Sequence, residues 1–489
     1  MVEQLSGLDA AFLGMETGTQ FGHVSSVVFV DPTAGGSGDV YSDLRAAFEE
    51  RLHLLGVYRR KLAEVPLGLD HPYWVDDPDL DLGFHLREIG LPRPGNERQL
   101  ADQVARITAR PLDRSRPLWE WYVISGLEDG QVAILTKIHH ATIDGVSGVE
   151  LLQILFDTEA DGRDLERPAG SPRPARPPTP PELLARTVFA YATRPRKALQ
   201  LQIRLLRTAA TLSRNPAFRG AVGAMVPGLR RLARIGEGPG EERLELPNRS
   251  VPRTPFNRAV TPHRRFAFRT LRLSDAQTVK RALGVTVNDV VMAICAAALR
   301  RYLLDRDALP AESLVAMVPV SVRTGGDGEL GSNRVTGMLC ALHTDVEDPL
   351  ARLRAIHQSM ASAKELQRAV PADILSDITQ FAPPALVAQA ARLTSGVRLA
   401  DRLNPPFNLT ISNVPGPRQP LYLAGTPMTH FYPVSVVAEG QGLNMTVQSY
   451  LDNLDFGLVS CRELVPDLWD LAGHLGDALD ELIEAAAPA

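Results

Sequence analysis

The residues best suited to chemistry are two adjacent histidines, His139 and His140, followed by an aspartate at position 144 and a glycine at position 145. An imidazole with an ordinary pKa of about 6.5 takes up a proton near neutral pH and gives it back. Attack of a hydroxyl on a thioester needs both steps, because the alcohol must lose a proton and the leaving thiolate must gain one. We therefore predict that His140 is the general base of an acyl transfer.

A strand, a turn and a helix are predicted to position these side chains. Residues 131–140 are rich in Val and Ile and alternate as a strand does, and residues 145–156 have helical spacing. Neighbours on a strand point to opposite faces, so His139 and His140 should not reach the same target. His139 is then expected to be a buried, hydrogen-bonded residue that orients the turn.

The aspartate and the glycine are expected to shape the turn. Asp144 is too close in sequence to be a second independent base, and we predict that it pins the turn through backbone N–H groups or by pairing with an arginine. Gly145 permits a positive φ or a close approach where the chain reverses. The competing interpretation is a zinc or iron site made of His139, His140 and Asp144. The opposed histidines and the lack of a third convergent ligand argue against it, so no metal is predicted.

Composition excludes several other classes of protein. With 489 residues, 44% of them apolar and 22% charged, the chain has the composition of a globular protein, and its length favours two domains. A net charge of −5 argues against nucleic-acid binding. Cys295, Cys340 and Cys461 are far apart, which excludes a disulfide framework and a Cys-based zinc site and suits a reducing cytoplasm. No run approaches the roughly 18 apolar residues of a spanning helix, and the N-terminus has no signal-peptide pattern.

The chain divides at a proline-rich stretch. Seven prolines fall between residues 168 and 181, which predicts an extended linker. We predict an N-terminal domain over residues 1–165, a linker with a basic helical segment over 166–236, and a C-terminal domain over 237–489. Strands and helices alternate in both domains, so the fold class is α/β or α+β with mixed sheets. The predicted strands are Val24–Val30, Gln131–His140, Arg264–Arg272, Leu314–Val322, Leu339–Thr344, Asn408–Ser412, Met445–Tyr450 and Asp455–Ser460, and the predicted helices include Tyr41–Leu55 and Glu97–Arg110.

The segment after the linker is strongly basic. Residues 182–235 contain eleven Arg or Lys and one acid, Glu182, in a helical pattern broken by Pro195, Pro216 and Pro227. The segment is either a solvated helical face or a surface that holds anionic phospholipid. The second interpretation predicts a cytoplasmic enzyme that lies peripherally on the inner face of the membrane or on lipid droplets.

Further motifs resemble those of the bacterial wax ester synthase/diacylglycerol acyltransferase family. The HHxxxDG turn alone is also similar to that of chloramphenicol acetyltransferase-like enzymes, plant alcohol acyltransferases and peptide-synthetase condensation domains. The other motifs follow the family's order: Leu-Asp-Ala-Ala-Phe at 8–12, Pro-Leu-Trp at 117–119, Thr-Val-Asn-Asp-Val at 286–290, Pro-Val-Ser-Val-Arg at 319–323, Gly-Ser-Asn at 331–333 and Ser-Asn-Val-Pro-Gly-Pro at 412–417. Two departures, Gly22-His23 in place of Met-His and Gly-Ser-Asn in place of Gly-Asn, bear on substrate range more than on activity.

The resemblance implies an α/β fold of two chloramphenicol-acetyltransferase-like domains, with a channel between them and His140 near its middle. Long-chain acyl-CoA would enter from one side as co-substrate, with no other cofactor, and diacylglycerol or a long-chain alcohol from the other. The product would be triacylglycerol or a wax ester. Arg323 is either a surface charge at a strand end or, as the related plant enzymes imply, the partner of Asp144.

Three more residues of these motifs have a structural interpretation beside the functional one. Asp289 completes a capping box with Thr286, so Asn288 is the residue expected to reach the channel. Trp119 is expected to pack at a corner before the histidine strand, because a tryptophan buries a large area.

Two other functions stay open from the sequence. One is a non-catalytic protein that binds acyl-CoA or lipid on the same fold, although the intact HHxxxDG turn argues against it. The other is a related transferase that uses acyl groups bound to carrier proteins. A serine hydrolase is not expected, because no GxSxG pattern occurs.

Overall fold

Two mixed β-sheets, each of six strands, form the framework of the chain that the structure describes. The structure is a computed structural model, and it describes residues 2–143, 145–163, 176–189, 251–321, 335–369, 398–402 and 404–487. A third, smaller sheet has the three strands β1 (Glu3–Gln4), β4 (Tyr73–Asp76) and β3 (Arg60–Ala63), in that order.

The remaining strands, in chain order, are β2 (His23–Val30), β5 (Leu86–Gly90), β6 (Trp119–Ser125), β7 (Val132–His139), β8 (Arg264–Arg272), β9 (Val315–Ser321), β10 (Val335–Ala341), β11 (Leu409–Val414), β12 (Tyr422–Leu423), β13 (Thr426–Val434), β14 (Leu443–Tyr450) and β15 (Asn453–Cys461). The helices are α1 (Gly7–Gly14), α2 (Val40–Arg51), α3 (Leu82–His85), α4 (Glu97–Thr108), α5 (Gly145–Leu155), α6 (180–189), α7 (Leu273–Leu283), α8 (Val287–Leu304), α9 (Pro349–Ala369) and α10 (Leu468–Ala486).

The first sheet has the strand order β12-β13-β2-β7-β6-β5. β5 runs parallel to β6, and the other neighbours are antiparallel. β7, which leads to the histidine pair, therefore has a partner on each side. Its register places His139 opposite His23 on β2 and Ile138 opposite Trp119 on β6. The end of β7 is fixed by both neighbouring strands.

The second sheet has the strand order β10-β9-β11-β14-β15-β8. β11 is parallel to both of its neighbours, and the other pairs are antiparallel. The central helix α8 packs against α9 and α10. Thirteen of its eighteen residues are buried, so the apolar stretch Val290–Leu299 lies inside the core of this half. No single described helix is long and apolar enough to cross a membrane, and α7 and α8 reach that length and composition only as a pair bent by 106°.

The C-terminal part of the chain contributes strands to both large sheets. β12 and β13 extend the first sheet through β2, and β14 and β15 then return to the second. Where β13 meets β15, Gly457 is needed, because a Cβ at that position would collide with the carbonyl oxygen of Pro433. A division at residue 237 therefore does not separate the two sheets, since the segment 237–489 supplies strands to each.

The predicted strands overlap the observed ones, with one clear shift. β10 begins at Val335 and ends at Ala341, whereas the prediction ran from Leu339 to Thr344. Residues 180–189 form α6, which begins two residues before the basic segment with its predicted helical pattern, because a proline is tolerated in the first turn of a helix. Most of the linker and of the basic segment, residues 164–175 and 190–250, lies outside the described residues.

Candidate active site

The two histidines lie where β7 ends and the chain turns toward α5. Thr142 N donates to the carbonyl oxygen of His139 at 2.9 Å, which closes the turn. His140 N donates to Gly22 O at 2.8 Å, and the turn is thereby joined to the residue that precedes β2. His139 N donates to Leu118 O at 2.9 Å, just before β6. Backbone hydrogen bonds from two other segments therefore fix the position of the turn.

His139 is buried, with an exposed fraction of 1%. Its Nδ1 accepts a hydrogen bond from Ala141 N at 3.0 Å. Its Nε2 lies 3.3 Å from Oε1 of Glu16, without the alignment of a good hydrogen bond. Because Nδ1 accepts from a backbone N–H, the nitrogen left to carry an N–H is Nε2, which faces the carboxylate. Nδ1 of His139 therefore binds a backbone N–H, and Nε2 lies against the Glu16 carboxylate.

His140 follows the strand and is partly exposed. The ring of Phe12, from α1, stacks on its imidazole with 4.3 Å between the ring centroids and 11° between the planes. Stacking restrains the plane of the imidazole and shields one of its faces. The two histidines thus differ in setting, as their alternation along the strand predicted.

Glu16 connects three parts of the chain beside His139. Its Oε1 accepts from Gly22 N at 2.8 Å, and its Oε2 accepts from Nη2 of Arg114 at 2.7 Å. Burial alone would raise the pKa of the Glu16 carboxyl, but His139, Arg114 and the Gly22 N–H together lower it to about 2. The carboxyl group is therefore ionised at any pH at which the protein works.

His23, opposite His139 on β2, is held in its neutral form. Burial lowers its pKa well below the ordinary value, and the positive charge of Lys137 lowers it further. Its Nε2 donates to the carbonyl oxygen of Thr108 at 2.8 Å. Lys137 is buried as well, which lowers its pKa to about 8, and its Nζ donates to Arg110 O at 2.7 Å. His23 and Lys137 are thus buried neighbours of the turn that bind backbone carbonyl groups.

Trp119 lies in the core beneath the turn and is fully buried. Its Nε1 donates to the carbonyl oxygen of Tyr58 at 2.8 Å. Its ring stacks on Phe48, with 3° between the planes, and on His85, with 17°. Trp119 therefore fixes the start of β6, the strand that holds β7 on one side.

Asn288 and Asp289 lie in the first turn of α8. Asp289 forms the capping box with Thr286, and its Oδ2 also accepts from Nδ1 of His357 at 2.8 Å. Oδ1 of Asn288 accepts from Nδ2 of Asn413 on β11 at 3.2 Å. The partners of this pair come from the second sheet and from α9, whereas those of the histidines come from α1 and the first sheet.

The predicted partners Asp144 and Arg323 lie outside the described residues, as does the Gly-Ser-Asn motif at 331–333. Gly145 is the first residue of α5. Among the side chains that the structure describes, no group of three His, Cys, Asp or Glu residues is placed to hold a metal ion. The site contains the histidine pair and its supporting residues.

The sequence patterns did not assign roles to Phe12, Glu16 or Gly22. Phe12 lies in the last turn of α1, which ends at Gly14, and Glu16 follows the C-cap residue Met15, so no helical spacing relates their side chains. Their contacts with the histidine pair join residues more than one hundred positions apart, and no local pattern shows them.

Two family models cover most of the chain. The wax ester synthase/diacylglycerol acyltransferase catalytic domain matches residues 5–291, and the C-terminal domain of the same family matches residues 331–483. A putative diacylglycerol O-acyltransferase of Mycobacterium tuberculosis is 39% identical, over 98% of this chain and 99% of that protein. A second one from the same species is 37% identical, over 99% of this chain and 91% of that protein.

Solved structures show the same fold. The wax ester synthase/diacylglycerol acyltransferase of Marinobacter aquaeolei VT8 matches with a TM-score of 0.66 and 31% identity, over 99% of both chains. The first condensation domain of the calcium-dependent antibiotic synthetase matches with a TM-score of 0.55 and 15% identity, over 100% of this chain and 97% of that one, which shows the fold alone. The predicted α/β fold with mixed sheets and the predicted acyltransferase activity are confirmed. The chain belongs to the wax ester synthase/diacylglycerol acyltransferase family.

Proposed function

We propose that this enzyme transfers a long-chain acyl group from acyl-CoA to the hydroxyl of diacylglycerol, of a long-chain alcohol, or of both, with His140 as general base. The observation that carries this proposal is the different setting of the two histidines. His139 has an exposed fraction of 1%, and both of its nitrogens face groups of the protein. His140 is partly exposed at the turn, which makes it the member of the pair that can meet a substrate hydroxyl.

The reaction needs one proton carrier and no covalent intermediate on the enzyme. The imidazole of His140 takes the proton of the alcohol as its oxygen attacks the thioester carbonyl. The C–S bond then breaks, and the CoA thiolate takes the proton from the imidazolium. An ester and CoA leave, and His140 returns to its starting state. Acyl-CoA is the co-substrate in this proposal, and no further cofactor takes part.

Release of CoA from palmitoyl-CoA tests the proposal. We expect release to depend on an added acceptor, with diacylglycerol and long-chain alcohols compared in one panel. Initial-rate lines at several acceptor concentrations should intersect, because both substrates must be bound before transfer. Parallel lines, or an acyl-enzyme trapped by mass spectrometry, would contradict direct transfer. Folded enzyme that binds acyl-CoA but releases no CoA with any acceptor would favour a binding protein.

We also propose that the enzyme lies peripherally on a membrane or on lipid droplets, and the basic segment supports this location. Residues 182–235 carry eleven Arg or Lys and one acid. A Lys or Arg close to anionic headgroups contributes about 1 kcal/mol to binding. The acceptors are lipids, so an enzyme on the cytoplasmic membrane surface or on lipid droplets meets them where they accumulate.

A further inference from the structure

We propose that Glu16 is a positioning residue of this site: its carboxylate holds the proton of His139 on Nε2, leaves Nδ1 to accept from Ala141 N–H, and thereby fixes the turn that presents His140. This inference rests on the proposed role of His140 as base. Glu16 touches no reacting atom in this scheme and acts through His139.

The tautomer of His139 is set by the group that its Nδ1 contacts. Nδ1 lies 3.0 Å from Ala141 N, a backbone donor. A proton on Nδ1 would set two donors against each other, inside a site where His139 has an exposed fraction of 1% and water cannot replace the lost bond. The turn between β7 and α5 therefore needs the proton on Nε2, the nitrogen that faces Glu16.

A negative charge faces Nε2 of His139. The Glu16 carboxylate accepts from Arg114 and from Gly22 N, and its Oε1 is also the atom nearest Nε2. Its pKa of about 2 keeps it ionised, so it offers only acceptors to these three donors. A glutamine has one acceptor oxygen and one NH₂ group. It would leave one of the donors unpartnered, or would turn its NH₂ toward Nε2 and favour the opposite tautomer.

The space around Nε2 of His139 requires a glycine at position 22. A Cβ at Gly22 would lie 2.7 Å from Nε2 of His139 and 3.2 Å from the carbonyl oxygen of Phe12. His139 cannot move away cheaply, because it is buried and its Nδ1 is bound to Ala141 N. Gly22 therefore makes room for the contact between His139 and Glu16, and Gly22→Ala disturbs that contact without changing the charge.

The test compares Glu16→Gln with Glu3→Gln, the same substitution at an exposed ion pair with Arg60. We expect Glu16→Gln to lower kcat for CoA release by about tenfold to hundredfold with little change in KM for acyl-CoA, because misplacement of a reacting group by about 1 Å costs that much. Glu3→Gln should match the wild type. NMR of the protein labelled with ¹⁵N in its histidines, with the His139 signals assigned from His139→Ala, should show a protonated Nε2 in the wild type and its loss in Glu16→Gln.

A double mutant separates this role from a general loss of structure. If Glu16 acts through His139, Glu16→Gln should add little to the loss already caused by His139→Ala. Multiplied losses would overturn the proposal, as would a folded Glu16→Gln protein with wild-type kcat or the wild-type tautomer. If Glu16→Gln does not fold, Gly22→Ala is measured in the same way, and an unchanged tautomer and kcat there would overturn it too. The NMR readout needs no substrate, so it tests Glu16 even if the wild-type enzyme releases no CoA.

Discussion

The ring of Phe12 lies parallel to the imidazole of His140, with 4.3 Å between their centroids and 11° between their planes. Phe12 belongs to α1, whose N-terminus is capped by Ser6 accepting from Asp9 N at 3.1 Å. A capped helix holds the aromatic ring more firmly than a loop would. The proposed base is therefore restrained on one ring face, and its nitrogen-bearing edge keeps one orientation.

Phe12→Leu is expected to reduce catalysis without unfolding the enzyme. Leucine keeps much of the apolar volume but cannot stack, so the imidazole plane becomes free to tilt. We expect kcat for CoA release to fall by up to about 10²-fold, with KM for acyl-CoA little affected. Phe12→Tyr keeps the ring and serves as the matched control. Equal kcat values for the leucine variant and the wild type would show that stacking does not orient the base.

The two histidines should respond unequally to substitution. His140→Ala removes the proposed base, and general-base catalysis alone contributes about 10²–10⁴-fold to a rate. His139→Ala leaves the base in place but removes the acceptor of Ala141 N, so its loss in kcat should be smaller. The measurement is CoA release by both variants, with folding checked by circular dichroism. Equal losses in two folded variants would refute the separate roles.

Much of the local structure around the histidines could be predicted from the sequence. β7 has a strong alternation of apolar residues, and the observed strand, Val132–His139, differs from the predicted one by a single residue at each end. β8 has the predicted bounds, Arg264–Arg272. β6 was not predicted from the sequence. Six of its seven residues are buried, so polar and apolar residues do not alternate along it as they do along a half-exposed strand. Glu120 interrupts its apolar residues, and the remaining apolar run of four, residues 121–124, does not identify a strand on its own.

The parts that depend on distant pairing could not be predicted. β13 joins the first sheet by pairing with β2, which lies some four hundred residues earlier in the chain. The sequence of β13 does not indicate which strand it pairs with. The contact between Glu16 and His139 is of the same kind, since it needs α1 to lie against the end of β7. Motif spacing identified the reacting side chains, whereas their supporting partners depend on tertiary packing.

The pairing of Asp144 with Arg323 stays a prediction. If the two charges pair, removing either one leaves the other uncompensated and partly buried, which costs about 3–5 kcal/mol. The double mutant should then be no worse than the worse single mutant. Urea unfolding and CoA release of Asp144→Ala, Arg323→Ala and the double mutant complete the cycle. Fully additive losses in both measurements would show that the two residues do not interact.

The basic segment should bind anionic membranes. We expect sedimentation with vesicles to require anionic lipid and to weaken as salt rises, because the attraction is screened. Replacing Arg204, Arg207, Arg230 and Arg231 by Gln should weaken binding by about 1 kcal/mol for each arginine that lies near the headgroups. Binding that ignores both salt and these four arginines would assign the segment a structural role instead.

Lys137 should make the stability of the protein depend on alkaline pH. Burial lowers the pKa of this lysine from 10.5 to about 8. Between these two values the unfolded chain binds more protons than the folded one, so the free energy of unfolding contributed by Lys137 rises with pH. Below pH 8 both states are protonated, and the buried charge costs stability. The rise is at most about 1.4 kcal/mol for each pH unit above 8.

Lys137→Met removes the titrating group while keeping a long side chain. Urea unfolding at about pH 7.5 and about pH 9.5 should show that the wild type gains on the variant by about 1–2 kcal/mol across this interval. Cys295 and Cys340, whose pKa values burial raises to about 12, are common to both proteins, so their effect cancels in the difference. Lys61→Met is the matched control, because the Lys61 side chain is 27% exposed and pairs with Asp77. The free energy of unfolding of Lys61→Met should change with pH as that of the wild type does. If Lys137→Met also shows the same change as the wild type, the buried ammonium group of Lys137 does not destabilise the folded protein.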